Sequence, residues 1–267
     1  MRIRVFILLI IVALASSCGK YEKLLKSTDF ELKKNAAKDY FEQGRYVRTS
    51  ELLGQILPRY RATAESEDLS WLNAQCYYNM RDYIMAGTAY KDFAETYPYS
   101  EHAAEATFLT AYCDYMLSPR PQLDQAYTNS AVEAFTFFIK RYPSNDKLDN
   151  AQNLINDLED KLVEKSYINA KLYYDLEEYK AAVVALDNSL KDYPATKHRE
   201  ELLFLKLESS YLYAFNSVPE KQQERFQTTL DEYYSFVEEF PDSKFSKDIQ
   251  KIYNTTADFL NIEETKE

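Results

Sequence analysis

The sequence predicts an all-α fold in which helical hairpins stack side by side, and three observations carry this prediction. Glycine is scarce, with four in 267 residues, whereas sheets joined by tight turns generally need more. Small and aromatic residues recur in one spaced order along the chain. Tyr-Pro or Phe-Pro pairs close most of these stretches, and proline ends a helix because it cannot continue the intrahelical hydrogen bonds.

Three stretches share the repeat with identical spacing. In each, 24 residues separate an opening small residue from the closing position. The pairs are Ala37 and Arg61, Ala74 and Pro98, and Ala170 and Pro194. Small residues let two antiparallel helices approach closely, while aromatic residues at spacings of three and four fill the space beside them. Each stretch therefore predicts one hairpin, and the spacing of Thr28 and Glu31 predicts a capping box at the start of the first.

Two further stretches carry the same ending but are longer, with 32 residues from opening to closing position. The pairs are Ala111 and Pro143, and Ser209 and Pro241. Each contains eight extra residues at the same place, SPRPQLDQ from Ser118 and NSVPEKQQ from Asn216. They predict two more hairpins with matching insertions.

The repeated residues resemble the tetratricopeptide repeat over most of residues 28–243. The stretch between Pro143 and Ala170 is longer than its counterparts and has apolar residues at helical spacing, which predicts a lengthened first helix in the fourth hairpin. Apolar residues after Pro241 predict a last helix that covers the open end of the array. We therefore expect a tetratricopeptide-repeat superhelix of five helical hairpins with a C-terminal capping helix.

The amino terminus has the pattern of a secretory signal. Arg2 and Arg4 precede an apolar run at residues 5–14, which is followed by small residues. A helix of ten residues is about 15 Å long, half the thickness of a bilayer core. The stretch LASSC resembles the bacterial lipobox, which implies that Cys18 is lipidated, and Gly19 in place of Asp favours the outer membrane. The alternative is an ordinary signal peptide followed by an incidental cysteine.

These features divide the chain into five segments. We expect a lipoprotein signal peptide at residues 1–17, a lipidated tether at 18–27, repeats one to three at 28–143, repeats four and five with the long connecting helix at 144–243, and the capping helix with a polar tail at 244–267.

Composition argues against several classes of function. Without the two leader arginines, 30 Lys and Arg residues face 43 Asp and Glu residues, a net charge of about −13 that disfavours nucleic-acid binding. The few glycines form no phosphate-binding loop, and no GxSxG nucleophile motif occurs. His102 and His198 lie far apart, where solvated helix starts are expected. We therefore predict no catalytic residue, no metal site and no cofactor.

Two internal cysteines, Cys76 and Cys113, lie at matching places in neighbouring repeats. Helix axes lie about 8–10 Å apart, a separation that does not favour the short Cα distance of a disulfide. The sequence favours two small buried side chains and leaves their redox state open.

Aromatic residues recur on one face of the predicted first helices, three residues before and four after each opening small residue. The candidates for a peptide-binding groove are Phe41, Trp71, Tyr78, Phe108 and Tyr115. In tetratricopeptide arrays this face lines the concave groove, and large rigid side chains bind peptides there at a small entropic cost. The alternative, which we favour slightly, is that these rings pack against neighbouring helices.

Five repeats behind a lipobox, with insertions in the third and fifth and a long helix opening the fourth, resemble the BamD family of the outer-membrane β-barrel assembly machinery. The stretch YYDLEEYKAAVVALDNSLKDYP is especially similar to that family's fourth repeat. The resemblance implies a non-enzymatic scaffold, anchored by lipid to the outer membrane and facing the periplasm. It also implies partners: unfolded outer-membrane protein precursors at the N-terminal repeats, the periplasmic domains of the barrel insertase at the C-terminal repeats, and other assembly lipoproteins.

Two other functions fit the same pattern. One is a general periplasmic tetratricopeptide adaptor for cell-wall or division complexes. The other is a surface lipoprotein that captures glycans by stacking its aromatic residues on sugars.

Overall fold

A computed structural model describes residues 20–262, and every regular element in that range is an α-helix. Residues 20–26 are helical, and eleven longer helices follow within the described range. They are α1 Phe30–Glu42, α2 Tyr46–Tyr60, α3 Ser66–Asn79, α4 Tyr83–Thr96, α5 Ala103–Leu117, α6 Ala126–Arg141, α7 Leu148–Asp175, α8 Tyr179–Asp192, α9 Arg199–Phe215, α10 Pro219–Glu239 and α11 Ser246–Leu260. The five predicted hairpins are α1–α2 to α9–α10, and α11 is the predicted last helix. The tetratricopeptide-repeat fold is confirmed, whereas the signal peptide and Cys18 lie outside the described residues.

Small side chains lie where the helices meet, as the repeat predicts. Ten repeat positions with small residues are at most 3 % exposed. They are Ala37, Thr49, Ala74, Ala86, Ala111, Ala131, Ala170, Ala182, Ser209 and Thr229. A larger side chain at any of them would hold two helices apart, so these residues set the helix spacing.

The chain forms two compact units. Within the described residues, unit 1 comprises residues 20–119 and 125–158, and unit 2 comprises Arg120–Asp124 and residues 159–262. Aliphatic side chains and Tyr60 dominate the core of unit 1 near α1–α3, and buried rings dominate it between α4 and α6. The core of unit 2 joins α7 to α11 through side chains such as Leu186, Leu202, Phe236 and Ile249. Each unit therefore has its own hydrophobic core.

The first hairpin begins and ends differently from the sequence prediction. The residue that caps α1 is Asp29 and not Thr28, because its carboxylate accepts a hydrogen bond from the Leu32 amide at 2.9 Å. At the other end, α2 stops at Tyr60 although Arg61 replaces the usual proline. Ala62 adopts a left-handed conformation with φ of 63°, which turns the chain towards α3.

The two eight-residue insertions have different structures. In the third hairpin the insertion forms the connection between α5 and α6, and the Lys165 ammonium donates to the carbonyl oxygen of Leu123 at 2.7 Å within unit 2. In the fifth hairpin, α10 begins at Pro219 and extends to 21 residues. Proline fits the first helical position because that position needs no backbone donor, so most of this insertion lengthens a helix. The predicted long first helix of the fourth hairpin is α7, with 28 residues.

Both internal cysteines are buried free thiols. Removal from water raises the pKa of the Cys76 thiol and of the Cys113 thiol to about 12. Both groups are therefore protonated and unreactive at neutral pH.

Candidate protein-binding surfaces

One contact recurs at each junction between successive repeats. The residue immediately before α3, α5, α7, α9 and α11 packs against a side chain of the preceding first helix. The contacts are Glu65 with Lys34 (2.7 Å), His102 stacked on Trp71 (4.5 Å between ring centroids), Lys147 over the Phe108 ring (5.0 Å), His198 stacked on Tyr167 (4.0 Å) and Phe245 stacked on Phe204 (4.1 Å). Ion pairing, ring stacking and cation–π attraction thus each hold the start of one of these helices against the first helix of the preceding repeat.

Both histidines lie at helix starts, as predicted, but neither is simply solvated. The His102 ring is nearly parallel to the Trp71 indole, with 3° between the planes. His198 also contacts Glu164, with 2.9 Å between Nε2 and the carboxylate. This hydrogen bond lowers the pKa of Glu164. The two histidines therefore fix helix starts within their units.

A second regular contact lies at the turn inside the hairpins. The ring four residues after the opening small residue meets the Tyr that begins the second helix. The pairs are Phe41 with Tyr46, Tyr78 with Tyr83, and Tyr174 with Tyr179, at centroid separations of 5.4, 5.9 and 6.3 Å. Edge-to-face geometry of this kind is favourable for aromatic pairs, so these ring contacts stabilise the hairpin turns.

The five predicted groove residues all lie in unit 1, and each contacts neighbouring aromatic side chains. Phe108 is only 5 % exposed and belongs to the core, with Phe135 and Phe138 at its edges. The other four, Phe41, Trp71, Tyr78 and Tyr115, are partly exposed. Peptide binding at these rings stays a prediction, and the contacts agree with the alternative in which they pack against helices.

An open groove lies on a different face of unit 1, between α4, α5 and α6. Its volume is about 720 Å³. Ile84 and Phe137 line its walls and are each 58 % exposed, and Tyr127 lies beside them. Charged side chains line the same groove, namely Lys91, Glu95, Asp114, Glu133 and Arg141. We call this the α4–α6 groove, and its mix of apolar and charged side chains suits an extended polypeptide.

The α4–α6 groove was not among the sequence predictions, which rested on the aromatic face of the first helices. Thr107, Thr110 and Asp114 form part of the groove on α5, whereas Phe108 and Tyr115 project about 120° away around that helix at 100° per residue. Phe137, an apolar residue outside the buried pattern of its helix, was the signal in the sequence. A second groove of about 630 Å³ repeats this arrangement between α2, α3 and α4.

Unit 2 exposes apolar side chains at the turns of its two hairpins. Leu172 and Leu176 lie at the α7–α8 turn, and Phe215 and Val218 at the α9–α10 turn; each is at least half exposed. The Tyr174 hydroxyl on α7 donates to the Glu208 carboxylate on α9 at 2.8 Å, so these two helices run side by side. Both turns therefore lie at the same end of the unit. We call these four residues the turn patch, and exposed apolar side chains that cluster in this way are typical of protein interfaces.

The described residues contain no cluster of three or more His, Cys, Asp and Glu side chains placed to hold a metal ion. None of the helices between residues 20 and 262 is long and apolar enough to cross a membrane. The described surface carries grooves and exposed apolar patches whose dimensions and mixture of apolar and charged side chains suit polypeptide partners.

Comparison with known proteins identifies the family. The sequence profile of the YfiO outer membrane lipoprotein family matches residues 29–224 and, in an overlapping second match, residues 171–265. The chain belongs to this family. The match extends over all five hairpins and all of α11, so the resemblance read from the repeats, the insertions and the long fourth-repeat helix is confirmed.

A curated relative carries the description outer membrane protein assembly factor BamD and comes from Caulobacter vibrioides. It is 22 % identical to this chain over 207 residues, covering 76 % of this chain and 68 % of the relative. Among solved structures, a variant of a Podospora anserina kinesin light chain protein with nearly identical TPR-like repeats has a TM-score of 0.32 and 14 % identity, covering 79 % of this chain and 95 % of the other. Association with the outer membrane follows from the family itself.

Proposed function

We propose that this chain is a non-enzymatic scaffold of the outer-membrane β-barrel assembly machinery. It is anchored through lipidated Cys18, faces the periplasm, and promotes insertion of barrel proteins by binding their unfolded precursors and the barrel insertase. The observation that carries the proposal is the family match over residues 29–265, supported by the similarity to a protein described as an assembly factor. Other assembly lipoproteins are further partners in this proposal.

Depletion of the protein in cells tests the proposed function. We expect many outer-membrane β-barrel proteins to decrease together, because a scaffold of the assembly machinery serves precursors in common. Quantitative proteomics of outer-membrane fractions measures this decrease. Unchanged barrel levels would refute the proposal, and recovery of cell-wall enzymes without any barrel insertase in immunoprecipitates would favour an adaptor function instead.

Within this function, the α4–α6 groove is the proposed binding site for precursor segments. A barrel strand alternates apolar and polar side chains, and the groove combines exposed Ile84 and Phe137 with charges of both signs. Large apolar side chains that enter such a groove lose exposed area, which stabilises the complex by roughly 25 cal/mol per Å². The groove therefore offers an unfolded strand both apolar contact and hydrogen-bonding partners.

A photo-crosslinking residue at position 137 tests this placement. We expect adducts with an unfolded barrel precursor when the probe replaces Phe137, since that side chain projects into the groove. The same probe at Tyr78 reports on the aromatic face of the first helices. Adducts at position 78 without adducts at position 137 would move the precursor site to that face and contradict the groove assignment.

The turn patch of unit 2 is the proposed docking site for the periplasmic domains of the insertase. An aspartate in place of Leu176, which is 61 % exposed, would bury an uncompensated carboxylate in that interface, at a cost of several kcal/mol. We expect Leu176→Asp to abolish co-purification of the insertase while the fold is retained. Asn188→Asp, an exposed substitution on α8 outside the patch, is the control, and equal co-purification with both variants would exclude the turn patch.

A further inference from the structure

Positive charge is concentrated at the amino-terminal end of the described chain. Residues 20–61 contain ten Lys and Arg residues and six Asp and Glu residues, a net charge of +4. Residues 62–262 contain nineteen of the former and thirty-four of the latter, a net charge of −15. The first hairpin thus differs in sign from the rest of the described protein, and its surface will attract anionic partners.

Most of these cations are on the surface and have no carboxylate partner. Seven are exposed, and no ion pair within 4.0 Å involves them among the described residues. They are Lys20, Lys23, Lys26, Lys38, Arg45, Arg59 and Arg61. By contrast, Lys33 and Lys34 are buried, where Lys33 donates to the Leu25 carbonyl oxygen at 2.9 Å and Lys34 pairs with Glu31 and Glu65. The exposed set is therefore free to meet a charged surface, while the buried pair stabilises the fold.

The segment 20–26 is held on the hairpin with a basic side outward. The apolar parts of Tyr21, Leu24 and Leu25 pack against the core of the first hairpin, and the Tyr21 hydroxyl donates to Glu51 at 2.6 Å. At 100° per residue these three side chains span about 100° of the segment, and Lys23 points almost directly away from them with Lys26 beside it. The packing of the apolar side fixes the lysines in an outward orientation.

An aromatic side chain is exposed next to one of these cations. Phe30 at the start of α1 is 38 % exposed, and the Arg59 guanidinium lies over its ring at 6.0 Å. Surfaces that bind at the interface of a bilayer combine Lys and Arg with aromatic side chains in this manner, because the rings enter the headgroup region while the cations meet anionic lipid.

We infer that segment 20–26 and hairpin α1–α2 form a docking surface for an anionic phospholipid bilayer, with Lys20, Lys23 and Lys26 at its centre. An outer membrane lipoprotein has such a surface within reach, and the basic segment begins two residues after the proposed lipidated Cys18. The inference rests on the anchor of the proposed function. The anchored protein then lies with its first hairpin against the membrane, whereas a lipid chain alone sets no orientation.

Lysine footprinting of the full lipidated chain in vesicles tests this inference. Acylation of Lys20, Lys23 and Lys26 is compared by mass spectrometry between neutral phosphatidylcholine vesicles and vesicles with about 30 % phosphatidylglycerol, a content that gives a strong negative surface potential. We expect at least about fivefold protection of the three lysines in the anionic vesicles. Salt at about 0.5 M shortens the Debye length to a few ångströms and should remove the protection. Lys180 and Lys247 are exposed internal controls whose reactivity should not change.

A charge-reversal variant separates the electrostatic effect from anchoring. In Lys20→Glu/Lys23→Glu/Lys26→Glu we expect protection of Lys38 by anionic vesicles to disappear, whereas Lys180→Glu/Lys247→Glu should retain it. Failure of the chain to float with vesicles would refute the lipid anchor. Flotation with equal lysine reactivity in neutral and anionic vesicles would refute the docking surface alone. Protection that appears only with a purified acidic protein partner, and never with anionic lipid, would also overturn the inference.

Discussion

Replacing Phe138 with alanine is expected to destabilise the third hairpin by about 3–5 kcal/mol, the usual cost of truncating a buried Phe. The side chain is fully buried and meets Phe108 edge-on at 5.4 Å and Tyr142 at 5.7 Å. Its removal leaves a cavity that the closely packed α5, α6 and α7 fill only in part. Native-state hydrogen exchange of amides in α5 and α6 measures the loss, because repeat arrays open locally as well as globally.

The adjacent residue provides the matched control. Phe137→Ala removes an identical side chain that is 58 % exposed in the α4–α6 groove, so we expect a change in stability of less than about 1 kcal/mol. The two variants are thus expected to affect different properties: Phe138→Ala lowers the stability of the fold, and Phe137→Ala weakens binding of precursor segments. Equal losses of protection in the two variants would contradict the assignment of the core and groove faces of α6.

The small residues at the helix crossings were predictable from the sequence because they recur at the same position in successive repeats. One alanine is uninformative, but Ala37, Ala74 and Ala111 recur in register with the aromatic residues around them. Steric exclusion at a helix crossing is the same in every repeat, so a single rule places each small residue in an interface. The same reasoning gave the long α7, since apolar residues at helical spacing continue through the stretch before Ala170.

The junction contacts were not predictable, because different chemistry occupies equivalent places. Glu65, His102, Lys147 and Phe245 share no property that a sequence pattern can detect, yet each packs on the preceding first helix. The unequal insertions have a similar cause. Pro219 fits the first position of a helix, whereas the prolines in SPRPQLDQ keep that stretch out of a helix until α6. Local backbone preference decided between loop and helix.

Replacing Ala182 with leucine is expected to destabilise unit 2 by about 2–3 kcal/mol, within the range for overpacking of a closely packed core. Ala182 is fully buried, in the same core cluster as Ala170 and Leu186. Three added carbons find no empty space there, so α8 must move away from its neighbours. Leucine itself is a good helix former, and the loss therefore reports on packing and not on helix propensity.

Asn188→Leu on the same helix places the same side chain at an exposed position, where we expect a change of less than about 0.5 kcal/mol. Urea unfolding followed by circular dichroism, together with hydrogen exchange in α8, compares the two variants. If Ala182→Leu were as stable as Asn188→Leu, the small residues would not determine the helix spacing, and the repeat would need another physical explanation. A selective loss in Ala182→Leu would show that helix approach at the small positions limits the stability of the hairpins.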